Sequence, residues 1–268
     1  MSTLVYLAMS SQSTDDVRVT LLDGYVATVE MRRPPNNFFD VALIRGLANA
    51  YEALDADEAC RAIVLCSEGK HFCAGADFSP KERTPEQRAD EASLYSEAVR
   101  LFETRKPVVA AVQGGAIGGG LGLACSADFR VGCPDSRFSG NFARLGFHHG
   151  FGLSVTLPNI VGHQHTLDLL YRGRRIDGAE AFRMGLCDAV VETEEVRAAA
   201  VRLAMDIAAS GPLAVQAIRK TLRGDLPGRL RAALEHEQSE QGRLHATEDF
   251  QEGIRASAER REPAFKGR

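Results

Sequence analysis

The sequence is poor in the residues that nucleic acids and membranes require, with no tryptophan and only 5 tyrosines in 268 residues. Its 32 lysines and arginines are outnumbered by 36 aspartates and glutamates, for a formal charge of −4. Binding to nucleic acid or to an anionic membrane generally needs a strongly basic surface. We therefore expect neither to be a main partner.

Long apolar segments and paired cysteines are also missing. No run reaches the ~18 consecutive apolar residues of a transmembrane helix. The N-terminal patch LVYLAM has no basic segment before it, unlike a secretory signal. The 6 cysteines are irregularly spaced, with no C-x-x-C pair and no His-x-x-x-His partner for zinc. These features predict reduced thiols in a cytoplasmic protein.

The composition, 44% hydrophobic and 25% charged, is close to that of an average globular protein. Residues 1–15 form a polar lead that we expect to be disordered. The segments VRVTLL and YVATVEM then alternate apolar and polar residues around Asp23-Gly24, which predicts a β-hairpin. From Asp40, apolar residues recur at offsets of three and four, which predicts a helix capped by that aspartate.

The middle of the chain has the pattern of a β-α-β crossover. AIVLC and VVAAV are continuously apolar, as expected of strands covered on both faces. Between them, Thr84 and Gln87 form a capping box with Pro85 at the first helical position. ADFRVG and LCDAVV repeat the strand pattern, and the chain is mostly helical from Glu195. The predicted breaks between the late helices are at Gly211-Pro212 and Pro227-Gly228. We predict an α/β core over residues 16–194 and a helical region over residues 195–268.

Two loops carry the strongest chemical signals. GGAIGGGLG, residues 114–122, follows the VVAAV strand and precedes an apolar run suited to a helix, whose free N–H groups attract negative charge. A dinucleotide fingerprint fails here because its third glycine position holds Leu123 or Cys125. HFCAGADF, residues 71–78, follows the AIVLC strand in the same context, so both loops should leave the same end of a parallel sheet. Two backbone donors can then converge on one oxygen.

These loops, together with LPNIVG, GRRIDGAEAFRMGLCDAVV and the ending EGIRASAERREPAFKGR, resemble the crotonase (enoyl-CoA hydratase/isomerase) superfamily from about Val17 onward. The resemblance implies a core of ββα turns in a spiral, a C-terminal helical trimerisation region, and assembly as a homotrimer or a dimer of trimers. It implies an acyl-CoA thioester as substrate and no metal or redox cofactor.

By the same resemblance, the N–H groups of Ala76 and Gly119 form an oxyanion hole for the thioester carbonyl. An enolate forms when a proton leaves the carbon beside a thioester, and each preorganised donor stabilises its charge by ~3 to 4 kcal/mol. The other positions that the resemblance places around the substrate are Ala74, Asp77, Gly118, Gly122, Phe142, Phe147, Phe265 and Lys266. Of these, Phe265 and Lys266 would reach over the CoA, and each glycine has the alternative of a purely structural turn.

The sequence departs from the family where the hydratases use two glutamates. Gly122 stands at the first of these positions and Phe142 at the second, and residues 139–146 contain no acid. Hydration of an enoyl-CoA by paired glutamates is therefore not expected. A phenylalanine in place of an acid makes the wall of the acyl pocket apolar, which suits an apolar or aromatic acyl group.

His149 and Ser154 are the candidate replacements, since their positions relative to LPNIVG resemble those of Asp and Ser in dihydroxynaphthoyl-CoA synthases. A histidine titrates near neutrality and can carry the α-proton. The alternative is a polar loop residue bonded to nearby backbone. We expect His148 to point the other way, His71 to lie near the adenine or to be exposed, and Cys73 to be structural. The remaining histidines, with surface or packing roles, are His163, His165, His236 and His245.

Three functions are consistent with these residues. The first is a lyase or isomerase that acts through a CoA-thioester enolate. The second is a non-catalytic acyl-CoA-binding protein, since both glutamates are lost. The third is a CoA-ester decarboxylase or hydrolase, because loss of CO2 also produces an enolate but needs no carboxylate base.

Overall fold

A computed structural model describes residues 14–78 and 93–268 of the chain. The predicted capping box at Thr84 and Gln87, with Pro85, lies outside the described residues, as does most of the polar lead. Everything below concerns the described ranges.

Nine strands in the described residues form two sheets. In chain order they are β1 (Val17–Leu22), β2 (Val26–Met31), β3 (Ala62–Ser67), β4 (Val108–Val112), β5 (Gly115–Ile117), β6 (Phe129–Gly132), β7 (Arg137–Ser139), β8 (Arg175–Asp177) and β9 (Ala189–Val190). The larger sheet has the order β1-β2-β3-β4-β6-β9 and the smaller one β5-β7-β8. Only β1 runs antiparallel in the larger sheet, where Val17 pairs with Met31 across the predicted hairpin.

The helices of the described residues surround these sheets. They are α1 (Val41–Ala56), α2 (Leu94–Glu103), α3 (Gly119–Ser126), α4 (Leu153–Arg172), α5 (Gly178–Arg183), α6 (Val196–Ala208), α7 (Pro212–Arg223), α8 (Leu226–His245) and α9 (Glu248–Glu259). The predicted cap of α1 is present, because the Asp40 side chain accepts a hydrogen bond from the Leu43 amide. No single helix in the described ranges has the length and apolar character needed to cross a membrane. The stretch Thr193–Ala208 and α7 reach that length and apolar character only when taken together, and a 104° bend separates them.

Two consecutive segments have the same ββα order. β4 continues into β5 and then α3, and β6 continues into β7, a 3-10 turn (Asn141–Leu145) and then α4. In each segment the first strand joins the larger sheet and the second joins the smaller one. This order places the loop between β5 and α3 where β4 ends, beside the loop that follows the parallel neighbour β3.

Both faces of the larger sheet are covered, as the apolar strands predict. One face belongs to the main core with α1 and α2, and the other packs on α6, whose small residues recur every fourth position as Val196, Ala200, Ala204 and Ala208. This explains why AIVLC has no polar alternation.

The late helices divide into two groups. None of the residues of α7 is buried, whereas α8 and α9 fold back on the core. A Cβ at Gly253 of α9 would lie 2.4 Å from the carbonyl of Leu145, so this helix is in close contact with the 3-10 turn. The break predicted at Gly211-Pro212 is correct, but the second one lies earlier than predicted, at Gly224, because Pro227 fits the first turn of α8.

Ion pairs attach α7 to the core. Arg219 Nε lies 2.9 Å and Arg223 Nη2 2.7 Å from the carboxylate of Asp128, which also accepts a hydrogen bond from the Val108 amide. The Asp128 side chain is 18% exposed and the two arginines less. Burial raises the pKa of Asp128, but the charges of both arginines outweigh it and hold this pKa below its ordinary value.

We expect Asp128→Asn to lower the free energy of unfolding by about 3 to 5 kcal/mol at neutral pH, because two largely buried arginines lose their counter-charge. A carboxylate with a lowered pKa stabilises the fold above its unfolded pKa of ~3.9 and loses this effect as the pH falls through its folded value. The deficit should therefore shrink below about pH 4. Urea unfolding across pH measures it, with Asp206→Asn on the exposed face of α6 as control. An equal deficit at all pH values would contradict this account.

Candidate active site

The two loops predicted from the sequence are hydrogen-bonded to each other. The Cys73 amide donates to the Gly115 carbonyl over 2.9 Å, and the Ile117 amide donates to the Cys73 carbonyl over 3.0 Å. The first loop also forms a parallel bridge between Ala76 and Phe39. The structure thus brings the segments of both candidate oxyanion residues together, as their positions after parallel strands predict.

The amides of Ala76 and Gly119 are available as donors. Gly119 is the first residue of α3, where N–H groups have no partner within the helix. In the bridge at Ala76, the Phe39 amide donates to the Gly75 carbonyl, which leaves the Ala76 amide unused. Neither amide has a hydrogen-bond partner within the described part of the chain. That both converge on one carbonyl oxygen stays a prediction.

Small residues make this approach possible. A Cβ at Gly120 would lie 2.1 Å from the carbonyl oxygen of Cys73, so only glycine lets α3 begin against the first loop. Gly118, with φ +57° and ψ −120°, has a backbone conformation that side chains disfavour. Both glycines therefore have a structural function, whether or not a ligand binds.

Phe151 occupies the space beside Gly122, where the family resemblance places the first glutamate. A Cβ at position 122 would lie 2.5 Å from the Cβ of Phe151, whose side chain is 1% exposed. Phe151 has a φ of +62°, and its ring meets that of Phe39 edge-on at 5.5 Å. A glutamate does not fit at position 122 in this arrangement. The sequence did not reveal Phe151, because its place depends on a left-handed backbone conformation after Gly150.

An aromatic cluster adjoins the loops; that it forms the wall of an acyl pocket stays a prediction. Phe142 packs beside Gly118 and meets Phe147 at 5.5 Å between ring centroids. Phe147 in turn contacts Phe78 at 5.7 Å and Phe250 of α9 at 5.4 Å. Phe142 and Phe147 are both buried, so they also serve as core residues. The contribution of α9 to this wall was not predicted.

His149 and Ser154 are in direct contact, and a third residue joins them. His149 Nε2 lies 2.7 Å from Ser154 Oγ, whose hydroxyl donates to Glu237 Oε1 over 2.6 Å. The Ser154 and Gly152 amides also donate to the two oxygens of Glu237, over 3.0 and 2.9 Å. The Phe142 ring, beside Gly118, lies 6.4 Å from that of His149.

Burial determines the protonation of this group. It lowers the pKa of His149 to about 4, with smaller contributions from the charges of His148 and His236, so His149 is neutral at pH 7. Burial raises the pKa of Glu237, while hydrogen bonds from Ser154 and Gly152 oppose that rise. Burial thus shifts the pKa values of His149 and Glu237 in opposite directions.

The sequence analysis missed Glu237 because it lies in the charged segment EHEQSEQ. The available signal was helical spacing, since Leu230, Leu234 and Glu237 are at positions i, i+4 and i+7 on the buried face of α8. A fully buried glutamate in line with two leucines needs buried donors. Gln241, one turn later, bonds to the Tyr95 hydroxyl and to the His148 carbonyl.

The structure corrects the expectation for His148 and shows a contact of His71 that was not predicted. His148 does not point away from His149, because the rings stack with centroids 4.1 Å apart; Phe151 and Gly152, both with positive φ, turn the chain so that the loop is not extended. His71 is half-buried, and its Nδ1 accepts a hydrogen bond from the Gly115 amide, which makes it a link between the two loops. His245 has the packing role expected, against Phe147 and Phe250.

The other predicted substrate residues are less closely tied to this site. The Ala74 amide donates to the Asn36 carbonyl, and Asp77 is half-buried next to Ala76. The tail lies along α9, where the Lys266 amide donates to Asp249 and its Nζ is 3.9 Å from Glu248, while Phe265 is 41% exposed.

Cys73 and metal binding can be judged directly. Burial raises the pKa of the Cys73 thiol to about 12, so it is an inert structural residue rather than a nucleophile. Within residues 14–78 and 93–268, no group of three or more His, Cys, Asp or Glu side chains is arranged to hold a metal ion.

Comparison with known proteins agrees with the architecture. Residues 23–268 match the enoyl-CoA hydratase/isomerase family. The crotonyl-CoA hydratase of Syntrophomonas wolfei is 34% identical over 82% of this chain and 85% of its own length, and the enoyl-CoA hydratase EchA19 of Mycobacterium tuberculosis is 32% identical over 91% and 94%. The crystal structure of an enoyl-CoA hydratase/isomerase from Pseudoalteromonas atlantica superimposes with a TM-score of 0.81 at 28% identity, covering 94% of this chain and 100% of that one.

The match extends over almost the whole chain, and it includes both loops, the ββα segments and the C-terminal helices. The predicted α/β fold with a C-terminal helical region is thereby confirmed. The chain belongs to the enoyl-CoA hydratase/isomerase family of the crotonase superfamily, whose members act on CoA thioesters.

Proposed function

We propose that this protein removes or returns the α-proton of an acyl-CoA thioester, whose enolate oxygen is held by the amides of Ala76 and Gly119. The observation that carries this proposal is the pair of hydrogen-bonded loops, each with an amide that has no partner among the described residues. Donors fixed before the reaction stabilise the enolate without reorganisation. The unpaired cysteines, all buried, support a reducing compartment such as the cytoplasm.

His149 is the proposed acid/base, in place of the family's glutamates. It is neutral at pH 7, and the ring of Phe142 links it to the oxyanion loop. Phe39, Phe142 and Phe151 make the surroundings apolar, which supports an apolar or aromatic acyl group as substrate. A side chain at position 122 would meet Phe151, which supports a reaction other than the hydration of an enoyl-CoA by two glutamates.

Exchange of the α-proton in deuterated water tests this function. Wild-type protein mixed with enoyl-, 3-hydroxyacyl-, malonyl- and aryl-CoA esters should incorporate deuterium at the α-carbon of at least one, as measured by mass spectrometry. We expect His149→Ala to lower the rate by about 10²- to 10⁴-fold, the usual contribution of a general acid/base. His163→Ala, an exposed histidine on α4, is the matched control.

The same panel separates the alternative functions. Tight binding of an acyl-CoA without exchange favours a binding protein, which the filled space at Gly122 also suits. Release of CO2 from malonyl esters indicates a decarboxylase, and release of free CoA indicates a hydrolase. Equal exchange by wild type and His149→Ala would remove His149 as the base.

A stability cycle tests whether Phe151 excludes a side chain at position 122. In a helix, Gly→Ala normally stabilises by up to ~1 kcal/mol, but here the new Cβ contacts Phe151. We expect Gly122→Ala to destabilise the fold by about 1 to 3 kcal/mol, and by clearly less in a Phe151→Ala background. Gly242→Ala on α8, with no atom within 4 Å of the new Cβ, should stabilise. Additive effects of the two substitutions in urea unfolding would show that they do not compete for space.

We further propose that the protein assembles as a homotrimer or a dimer of trimers through its C-terminal helices. α7 exposes Leu213 and Leu222 by 80% and 82% and Ile218 by 58%. Ile218 and Leu222 are four positions apart and share one face, while Leu213 lies on the other side of the helix. Sedimentation velocity should give a trimer or hexamer, and the double variant Leu213→Glu/Leu222→Glu should give smaller species with unchanged circular dichroism. A monomeric wild-type protein would disprove this assembly.

A further inference from the structure

The strongest feature not explained by the proposed function is the carboxylate behind His149. Glu237 is 0% exposed, yet it accepts three hydrogen bonds, two from backbone amides and one from the Ser154 hydroxyl. A carboxyl group whose partners are all donors is stabilised in its ionised form. These donors favour the anion against the effect of burial, and the carboxylate lies two hydrogen bonds away from Nε2 of His149, through Ser154.

The hydrogen bonds among His149, Ser154 and Glu237 determine which atom is the donor in each. A serine hydroxyl has one hydrogen, and Ser154 gives it to Glu237. The short contact between Ser154 Oγ and His149 Nε2, 2.7 Å, then requires Nε2 to be the donor. His149 is consequently the Nε2–H tautomer, with its lone pair on Nδ1. Among the described residues, Nδ1 has no hydrogen-bond partner, so it is available to a substrate.

The surroundings disfavour a positive charge on His149. His148 stacks on its ring, and His236 of α8 meets the His148 ring edge-on at 5.9 Å; charge on either opposes an imidazolium. Tyr95 of α2 faces the same pocket through Gln241, and burial followed by the charge of Glu237 raises its pKa, so its hydroxyl is neutral. Glu237 is the negative group in contact with Ser154, and at 3.8 Å it lies too far from Nε2 for a direct hydrogen bond.

We propose that His149, Ser154 and Glu237 form a proton relay in which one proton reaches Glu237 for each proton that His149 takes from the substrate. Ser154 and Glu237 are positioning residues that act through His149, and this inference rests on the proposed function. As His149 Nδ1 binds the α-proton, the Nε2 proton moves to Ser154 Oγ and the hydroxyl proton moves to Glu237 Oε1. The C–H electron pair stays on the substrate as the enolate, held at Ala76 and Gly119.

The relay balances charge as well as atoms. Before the step, the single negative charge is on Glu237; after it, Glu237 is neutral and the negative charge is on the enolate. Imidazole and hydroxyl are neutral in both states, so no imidazolium forms at the half-buried His149, where burial makes a charge costly. Reversal of the same movements returns the proton to the substrate. Burial makes the half-buried His149 a weaker base and the fully buried Glu237 a better proton acceptor. Glu237 thereby compensates for the low basicity of His149.

Three variants test the relay by α-deuterium exchange. Glu237→Gln cannot take up a proton and Ser154→Ala interrupts the path, so each should lower kcat for exchange by about 10²-fold or more while KM changes less. Ser154→Thr retains the hydroxyl and should keep most of the activity. Glu235→Gln, an exposed glutamate on the same helix, is the control and should behave as wild type.

The pH profile distinguishes a relay from a structural role. The acid limb of kcat/KM in the wild type belongs to the coupled pair His149 and Glu237, whereas Glu237→Gln leaves only His149, whose pKa is about 4. We expect the acid limb of this variant to move to lower pH. A variant with unchanged kcat and an unchanged acid limb would overturn the relay while leaving the enolate function intact.

A measurement without substrate tests the relay even if the wild type shows no exchange. Nitrogen-15 NMR of the histidine rings should show the Nε2–H tautomer for His149 in the wild type and a mixture of tautomers in Ser154→Ala. A predominant Nδ1–H tautomer in the wild type would overturn the relay. Absence of exchange with the expected tautomer would instead count against the proposed function alone.

Discussion

The geometry of this site depends on the hydrogen bonds between Cys73 and the strand Gly115–Ile117. They exist because β3 and β4 are parallel neighbours, so the loops that follow them leave the sheet at the same edge. Gly120 then lets α3 begin at van der Waals contact with the Cys73 carbonyl, where a Cβ would be 2.1 Å away. The start of a helix and a tight turn are thus joined before any ligand arrives. The adjacency of the two loops that carry these amides is a consequence of sheet topology, and side-chain identity at Ala76 contributes little to it.

The acid near these two loops is not at the positions that the family resemblance implies. The positions where the family resemblance places two glutamates are Gly122, covered by Phe151, and Phe142, which packs on Phe147. The acid of the site comes instead from α8 in the C-terminal region, through Glu237. Because this helix also packs on α2 and on α4, the site is complete only when the C-terminal helices are folded onto the core. Stability of that region and chemistry at His149 are therefore coupled in this chain.

Local patterns predicted the parts of the structure whose causes are local. The hairpin at Asp23-Gly24, the cap at Asp40 and the buried strands follow from turn chemistry and apolar runs, and the adjacency of the two loops follows from the parallel order of those strands. The direction of His148 was predicted wrongly because it depends on the positive φ of Phe151, two residues beyond His149. A positive φ at a residue other than glycine is rare, and the sequence gives no sign of it. Glu237 was missed because it meets Ser154 across 83 residues of chain, and a charged helix is ordinarily read as solvent-exposed.

The buried position of Glu237 gives it a different chemical character from a glutamate in contact with substrate. A carboxylate at the α-carbon must coexist with the developing enolate, and two negative charges at close range repel strongly in a low dielectric. In the proposed relay, Ser154 and His149 are two neutral groups between the carboxylate and the enolate, and the carboxylate loses its charge in the same step that creates the enolate. Phe142 and Phe151, which lie at or beside the positions where the family resemblance places acids, lower the local dielectric and so strengthen this requirement. In the proposed reaction, the absence of an acid at positions 122 and 142 and the burial of Glu237 are consequently parts of one electrostatic arrangement.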